Sequence, residues 1–410
     1  MGFSVGEVGG GMGGLILLAA LLVSVVAIAI FHGRLQNSLR SAPTLAPAAE
    51  LVPGLTEPTT LSVVIPAYNE AVNIADCIQA VLANDLSDNI SLQLIVADDE
   101  STDDTMPLAQ AAAGDDERVT VFTVPPRPTD ATWQGKNWAC ANAVKKATGD
   151  YLLFIDTDVR LGQDALRTTL SNLQIYHADL LSCVPAIVCG CFSEWLVQPI
   201  MFDILAVGFD FEPVNDAQQP EVAFAAGPFM LFRRSAYDAI GGHQAVAGDL
   251  VEDVALARRI KQHGLTLRYV MGADHLSVRM YRSFWGLWEG WTKNYYSGGG
   301  RNLPGTVYSA VVMAEIFVVP WLGLAISLWQ LSVHPVWGWA LLSVLSAVAV
   351  GMQVYMRFAA ARLADQTLRY WWLGWLGGGI VSAIAIASII KTETGWGWTW
   401  RGRSLATPQT

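Results

Sequence analysis

Long apolar runs lie near both ends of the chain. Residues 14–30 contain no charged side chain, and with the glycine-rich start they reach the ~20 residues that a membrane-spanning helix needs. Residues 307–331, 337–355 and 371–390 form three further runs of similar length. This pattern predicts one N-terminal membrane segment, three C-terminal ones and a water-soluble part between them.

Basic residues beside these runs indicate their orientation. Arg34 and Arg40 follow the first run, whereas residues 1–13 contain neither Lys nor Arg. A cleaved signal peptide would carry a basic N-terminal region, and the cytoplasmic flanks of membrane helices are rich in Lys and Arg. We therefore expect an uncleaved anchor with its N-terminus outside and its C-terminal end in the cytoplasm.

The last apolar run conflicts with the same rule. If residues 371–390 span the membrane, then Lys391, Arg401 and Arg403 lie outside. The run also contains three consecutive glycines at 377–379, so a re-entrant or interfacial segment is the alternative. The sequence predicts four hydrophobic segments and leaves open whether all four cross the bilayer.

The middle of the chain alternates short apolar runs with stretches of helical spacing. Four runs have the composition of strands, namely LSVVIPA, LQLIVAD, RVTVFTV and YLLFIDTD. Helices are predicted at residues 73–82, 103–113 and 137–147. Strands separated by helices form a parallel sheet with right-handed crossovers, so we expect an α/β domain.

Acidic side chains gather where the predicted strands end. Glu70 follows the first strand, Asp98 and Asp99 end the second, and Asp156 and Asp158 end the fourth. Ligands bind beyond the carboxyl ends of the strands in such sheets. Two carboxylates one residue apart can face a divalent cation and a diphosphate together, although two acids in a solvated loop would give the same pattern. We predict one nucleotide-type site at this edge.

Two helix starts carry further candidates. Lys136 begins a predicted helix, where a cation and free backbone N–H groups suit a phosphate, and a surface lysine is the equal alternative. Glu252 and Asp253 begin an amphipathic helix. Acids in the first turn of a helix often do no more than interact favourably with the helix dipole. We therefore predict a role in the site for Glu252 and Asp253 only because the acidic strand ends are present as well.

The overall composition narrows the class of protein. The chain has 36 acidic and 25 basic residues, whereas a nucleic-acid-binding protein presents a basic face. Its charged fraction of 15% is below the ~25% of ordinary soluble domains. The five cysteines form no CxxC pair, and we expect buried, reduced thiols. A membrane-associated protein that does not bind nucleic acid is the class that remains.

Four segments resemble glycosyltransferase family 2, the inverting enzymes of the GT-A fold. The segments VVIPAYNE, VADDESTDDT, GKNWACANAVKKATGDYLLFIDTD and EDVALARRI occur in family order within residues 61–275. The resemblance implies a nucleotide-diphospho-sugar transferase domain with a Rossmann-like mixed sheet. It also implies a metal-dependent enzyme that uses Mn²⁺ or Mg²⁺ to move a sugar from a nucleotide-sugar donor to an acceptor hydroxyl.

The resemblance assigns a role to each motif. Asp158 would hold the metal, with Asp156 beside the metal and the donor ribose or sugar, and Asp253 would be the catalytic base. The residues implied at the nucleotide-sugar donor are Pro66, Tyr68, Glu70, Asp98, Asp99, Lys136 and Asp156. The residues expected on the acceptor side or in a lid are Gly227, Phe229, His243, Glu252, Arg279, Trp291 and Lys293.

One departure from the family bears on the acceptor. Processive members carry a QxxRW motif after the base, and the corresponding region here reads WEGWTKN, which favours a single transfer. The membrane segments and the tail WTWRGRS are most similar to membrane-bound carotenoid and hopanoid-associated glycosyltransferases. We therefore expect a carotenoid or other isoprenoid lipid as acceptor.

Three alternative functions are left open by the sequence. They are a polyprenyl-phosphate sugar transferase, an inactive membrane scaffold with a degenerate transferase domain, and a transporter. For a transporter, Glu315 is the main intramembrane charge.

These inferences predict an integral protein of a bacterial inner or thylakoid-type membrane with a cytoplasmic catalytic domain. Its partners would be the lipid bilayer, the donor and the lipid acceptor, without nucleic acid. The expected regions are a membrane anchor (1–33), a linker (34–60), a GT-A domain (61–280), an amphipathic interfacial segment (281–306), C-terminal membrane helices (307–390) and a cytoplasmic or interfacial tail (391–410).

Overall fold

The computed structural model describes residues 11–46, 58–128, 132–397, 399–401 and 403–404. The chain divides into two compact units. We call them the helical unit, which contains residues 11–40, 189–208 and 281–397, and the sheet unit, which contains the described parts of 41–188, 209–280 and 399–404. Strands and helices are numbered in chain order.

The sheet unit contains twelve strands among the described residues. They are β1 (Thr59–Ala67), β2 (Ile90–Asp98), β3 (Val119–Thr123), β4 (Tyr151–Ile155), β5 (Val159–Leu161), β6 (Leu180–Val184), β7 (Ala186–Ile187), β8 (Phe229–Arg233), β9 (Leu267–Met271), β10 (Leu276–Val278), β11 (Thr399–Trp400) and β12 (Arg403–Ser404). A seven-stranded sheet has the order β3-β2-β1-β4-β8-β6-β9, a small sheet has the order β5-β10-β7, and β11 pairs with β12.

The four predicted strands form one half of the large sheet. β1 is parallel to β2 and β4, and β2 is parallel to β3, as expected for strands joined by helices. The sheet becomes mixed at β8, which runs antiparallel to both β4 and β6. This confirms the predicted GT-A-like mixed α/β fold.

Helices of the sheet unit cover the apolar strands. They are α2 (Ile74–Leu82), α3 (Thr105–Ala113), α4 (Gly135–Val144), α5 (Ala165–Ile175), α7 (Phe211–Asn215), α8 (Arg234–Ala239) and α9 (Glu252–Gln262). In α2, for example, the buried positions Ile74, Cys77, Ile78 and Val81 follow the spacing of one helix face. Burying each such aliphatic side chain stabilises the fold by roughly 1.5–3 kcal/mol.

The helical unit contains the predicted hydrophobic segments. Its helices are α1 (Met12–Ser41), α6 (Phe192–Gly208), α10 (Phe284–Gly298), α11 (Leu303–Phe317), α12 (Val319–Val333), α13 (Trp337–Ala364) and α14 (Gly374–Thr394). Three helical segments, Met12–Ser41, Trp337–Ala364 and Trp371–Thr394, are long and apolar enough to cross a membrane. The pair α11 and α12 passes the same test together but is bent by 43°, next to Pro320, which cannot donate a helix hydrogen bond.

The glycine run in α14 serves close packing, and the helix continues through it. A Cβ atom at Gly377 would collide with the carbonyl of Leu196, and one at Gly378 would collide with the side chain of Phe317. Small residues let membrane helices approach closely. α14 is therefore continuous across residues 377–379.

Candidate active site

The carboxyl ends of β1, β2 and β4 bring three acidic segments to one edge of the sheet. The backbone N–H of Asp99 donates to the carbonyl of Ala67 over 2.8 Å, and the backbone N–H of Glu70 donates to Oγ1 of Thr105 over 2.6 Å. The thiol of Cys77 donates to the carbonyl of Asp156 over 3.6 Å. The acidic strand ends predicted from the sequence are thus neighbours in space. We call this part of the sheet, with Glu70, Asp98, Asp99, Asp156 and Asp158, the acidic edge.

Asp98 and Asp99 are buried at the end of β2, each with 3% of its surface exposed. Burial raises the pKa of Asp99, and the guanidinium groups of Arg127 and Arg403 counteract this shift. Within the described parts of the chain, no hydrogen-bond donor reaches Oδ1 of either carboxylate. Such a buried acceptor normally has a partner, so this edge is suited to a ligand that carries N–H or O–H groups.

The backbone around these acids is held in an unusual conformation. Asn69 has a φ angle of 53° and Glu100 has one of 59°, in the left-handed region that most residues avoid. Asn tolerates this region, whereas Glu adopts it at a cost on the order of 1 kcal/mol. Strain of this kind is found where a site must aim particular groups.

Asp156 and Asp158 follow β4 and provide the oxygen ligands that Mg²⁺ and Mn²⁺ prefer. Burial, followed by the neighbouring charges of Asp156 and Glu70, raises the pKa of Asp158 to about 8. No donor among the described residues bonds to Oδ1 of Asp158. A divalent cation would relieve this repulsion and use the free oxygen, so the residues fit a metal.

The protein would supply only part of the metal's coordination. The described residues include no cluster of three or more His, Cys, Asp or Glu side chains that could hold an ion. Mg²⁺ sites of this kind use one or two carboxylates together with substrate phosphates and water. Asp156 and Asp158 would supply the two carboxylates of such a site.

Lys136, at the start of α4, links β4 to α9. Its Nζ lies 2.6 Å from Oδ1 of Asp156 and 2.7 Å from Oε1 of Glu252. Burial opposes the positive charge, but the two carboxylates outweigh it and hold the pKa of Lys136 well above its ordinary range. Lys136 thus forms ion pairs with two acids of the site, while 31% of its side chain is exposed.

Asp253 is positioned by two backbone donors. The N–H of Gly227 donates to Oδ2 over 2.9 Å, and the N–H of Val254 donates to Oδ1 over 2.8 Å. Burial and the adjacent Glu252 raise the pKa of Asp253 to about 7. A carboxylate with this pKa can accept a proton near neutral pH.

The other predicted residues lie in several places. Pro66 belongs to β1, and the guanidinium of Arg403 lies 3.6 Å from the centre of the Tyr68 ring. The backbone N–H of Arg279 donates to the carbonyl of Asp158 over 3.3 Å. Trp291 and Lys293 belong to α10 of the helical unit, where the indole N–H of Trp291 donates to Gln198 over 2.7 Å.

Phe229 and His243 lie in the interior of the sheet unit. Phe229 begins β8 and is fully buried in the main hydrophobic core. His243 is 1% exposed, its Nδ1 lies 2.8 Å from the hydroxyl of Tyr237, and burial lowers its pKa to about 3. Neither side chain reaches the surface, so their contribution in this structure is to packing.

Three arginines at the edge were not predicted as site residues. Nη1 of Arg401 lies 2.5 Å from Oε1 of Glu70, and Nη1 of Arg403 lies 2.6 Å from Oδ2 of Asp99. Arg127 follows β3 and approaches Asp99 to 4.0 Å. The position of Arg127 after a predicted strand was a usable signal, whereas no local pattern links residues 401 and 403 to strand ends some 300 positions earlier.

Known proteins are similar to this chain in sequence. Residues 62–241 match the family described as Glycosyl transferase family 2. The chain is 30% identical over 273 residues to 4,4'-diaponeurosporenoate glycosyltransferase of Staphylococcus aureus (strain USA300), which covers 65% of this chain and 69% of that protein. The protein of the same name from strain MRSA252 is 29% identical over the same length and coverage.

A solved structure shares the fold. Mannosyltransferase PcManGT from Pyrobaculum calidifontis, in complex with GDP-Man and Mn²⁺, aligns with a TM-score of 0.54 and 16% identity, covering 93% of this chain and 99% of that one. The match to the family description and the relative from S. aureus identify the family, and the solved structure agrees with the fold. The chain therefore belongs to glycosyltransferase family 2 and is a glycosyltransferase of the EC 2.4 class.

Proposed function

We propose that the enzyme is an inverting, metal-dependent glycosyltransferase that moves one sugar from a nucleotide-sugar donor to a hydroxyl of a membrane lipid. The observation that supports this most is the convergence of Asp99, Asp158, Lys136 and Asp253 through the contacts of one sheet unit. Asp99 is a buried carboxylate for the nucleobase, Asp156 and Asp158 are the pair of acids for the metal, and Asp253 is a carboxylate with a pKa of about 7. A single displacement requires a bound donor, a metal and a catalytic base, and these residues would provide all three.

The donor would lie along the carboxyl edge of β1, β2 and β4. Tyr68 offers an aromatic face, and Asp98 and Asp99 offer buried acceptors for the N–H and O–H groups of a nucleoside. Asp156 and Asp158 would hold Mn²⁺ or Mg²⁺, which, when bound, supplies positive charge to a leaving diphosphate. Lys136 adds a cation between Asp156 and Glu252.

The transfer needs one proton acceptor. Asp253 takes the proton of the acceptor hydroxyl as the acceptor oxygen forms a bond to the anomeric carbon. The bond from that carbon to the diphosphate oxygen breaks on the opposite face, and the diphosphate leaves with the electron pair. The products are the inverted glycoside, a nucleoside diphosphate and a protonated Asp253, which then returns its proton to water.

The acceptor is proposed to be a carotenoid or another isoprenoid lipid. The relative from S. aureus is named for a carotenoid acid, and the helical unit provides apolar segments long enough to lie in a bilayer. Arg34 and Arg40 near the end of α1 favour a cytoplasmic sheet unit by the distribution of basic residues. We therefore infer an integral membrane protein that works at the cytoplasmic surface of a bacterial inner or thylakoid-type membrane.

Label transfer by the full-length protein in lipid nanodiscs tests this function. The protein is incubated with Mn²⁺, a panel of radiolabelled nucleotide sugars and three acceptors: a hydroxylated carotenoid, a carotenoid carboxylic acid and a polyprenyl phosphate. We expect metal-dependent label in a carotenoid, lost in Asp158→Ala and kept in Asp115→Ala, because Asp115 is exposed and precedes β3 at the opposite end of that strand. Label only in polyprenyl phosphate would contradict the acceptor class, and no label with any donor would contradict the function.

A further inference from the structure

The C-terminal hairpin, formed by β11 and β12, lies on the acidic edge of its own unit. Arg401 contacts Glu70 over 2.5 Å and donates to the carbonyls of Tyr68 and Asn69 over 3.0 and 2.9 Å. Arg403 donates to the carbonyls of Asp99 and Glu100 over 2.7 and 3.2 Å. Two guanidinium groups thus hold both strand ends that the donor nucleoside is proposed to use.

Arg403 has the contacts that a nucleobase would make there. Its planar guanidinium lies 3.6 Å from the centre of the Tyr68 ring, and its N–H donates to the buried carboxylate of Asp99 over 2.6 Å. A nucleobase is likewise a planar group that stacks on aromatic side chains and donates N–H bonds from its edge. The two groups cannot stack on the same face of Tyr68 and bond to Oδ2 of Asp99 at the same time.

The chain before the hairpin contains two positions suited to a swivel. Gly395 and Gly397 have φ angles of 69° and 63°, which non-glycine residues rarely adopt. A Cβ atom at Gly397 would meet nothing within 4 Å. A small change of backbone angles here would move the hairpin without breaking packed contacts around Gly397.

We propose that the C-terminal hairpin is an autoinhibitory strap that competes with the donor base for Tyr68 and Asp99. This inference rests on the proposed function, because it takes the same edge as the donor site. The strap keeps the buried carboxylate of Asp99 paired, and the donor must displace Arg403 before its base can bind. Nucleotide affinity is then reduced by the fraction of molecules in which the hairpin is closed.

Nucleotide binding to the full-length protein tests the competition. Calorimetry in nanodiscs with Mn²⁺ measures the Kd of UDP, GDP, dTDP and ADP for the wild type and for Arg403→Ala. Since removal of the competitor frees the site, we expect the Kd of the nucleotide that binds to fall about tenfold, with a parallel fall in KM for its sugar and no loss of kcat. Arg118→Ala is the matched control, because Arg118 is an exposed arginine of the same unit that pairs with Asp116.

Proteolysis of the unmutated chain provides a second measurement. A displaced hairpin exposes Arg401 and Arg403 to trypsin, so saturating nucleotide should accelerate cleavage after these residues several-fold, while cleavage after Arg118 stays constant. Slower cleavage in the presence of nucleotide, or a higher Kd in Arg403→Ala, would show that the hairpin helps to bind the nucleotide. Either result would refute the competition. An unchanged Kd with unchanged cleavage would overturn it as well. A wild type that binds no nucleotide and transfers no label would instead refute the proposed function.

Discussion

Gly227→Ala tests whether Asp253 acts as the base through its present position. The Cβ atom of an alanine would lie 2.6 Å from Oδ2 of Asp253, whereas ordinary contacts begin at 3.4 Å. The carboxylate would have to retreat by 0.8 Å, the difference between these distances. This retreat would break the hydrogen bond of 2.9 Å that the Gly227 N–H now donates to it.

The size of the effect follows from that hydrogen bond. A bond to a charged acceptor contributes about 1.5–3 kcal/mol, which corresponds to a loss of roughly 10- to 150-fold in kcat/KM if the bond is needed for the reactive geometry. The N–H also favours the ionised form of the carboxylate. Its loss should therefore raise the pKa of Asp253 above about 7 and move the acidic limb of the pH–rate profile to higher pH.

The assay is label transfer at saturating metal over a range of pH values, for the wild type, Gly227→Ala and Gly208→Ala. Gly208 is the matched control, because a Cβ atom there would meet nothing within 4 Å. Thermal unfolding of each variant shows whether the fold is kept. A folded Gly227→Ala enzyme with the wild-type rate and the wild-type pH profile would refute the assignment of Asp253 as the base.

Four further outcomes are expected. Wild-type kcat/KM should rise with pH up to about 7 and then level off, because Asp253 accepts a proton only when ionised; a flat profile across pH 5–9 would contradict this. Asp158→Asn should abolish transfer yet raise the Tm by roughly 2–4 °C, since it removes a crowded charge; calorimetry showing a lower Tm would argue against the repulsion. Lys136→Met should destabilise the protein by about 3 kcal/mol in denaturant unfolding, because it removes the ammonium group that pairs with Asp156 and Glu252, and Lys136→Arg should be milder. Gly378→Ala should lower the unfolding temperature through its collision with Phe317, whereas Gly379→Ala, with 3.7 Å to its nearest neighbour, should not; equal effects would contradict the packing.

The sequence was sufficient to predict the half of the large sheet that contains β1 to β4, because each of these strands has a local pattern of apolar residues. β1 to β4 are largely apolar runs that are separated by helices, so their parallel pairing follows from general rules of connection. β8 was different, because FMLFR lies in a segment assigned to the acceptor side, and its antiparallel place between β4 and β6 depends on long-range pairing. A short strand that leads directly into α8 carries no turn signal.

The acidic edge was predicted as a set of residues but not as a network. Each of Asp156, Lys136 and Glu252 was a candidate for a local reason, whereas the ion pairs that join them connect Lys136 to residues 20 and 116 positions further along the chain. The arginines of the C-terminal hairpin were considered as the basic flank of a membrane segment and as part of the tail WTWRGRS, without a link to the acidic strand ends. Charge pairs across such distances are decided by the tertiary fold, and local periodicity contains no information about them.

The position of the C-terminal hairpin also limits how often the chain can cross the bilayer. The polypeptide leaves the sheet unit after residue 280 and returns to it at residue 399, so we infer an even number of crossings between these points. The bent pair α11–α12, α13 and α14 are three apolar segments, and two of them would cross. Arg357 and Arg362 near the end of α13 favour the bent pair and α13 as the two. A cysteine placed at Pro335 should then react with an impermeant reagent from outside, and a tag after Thr410 should be found on the same side as the sheet unit.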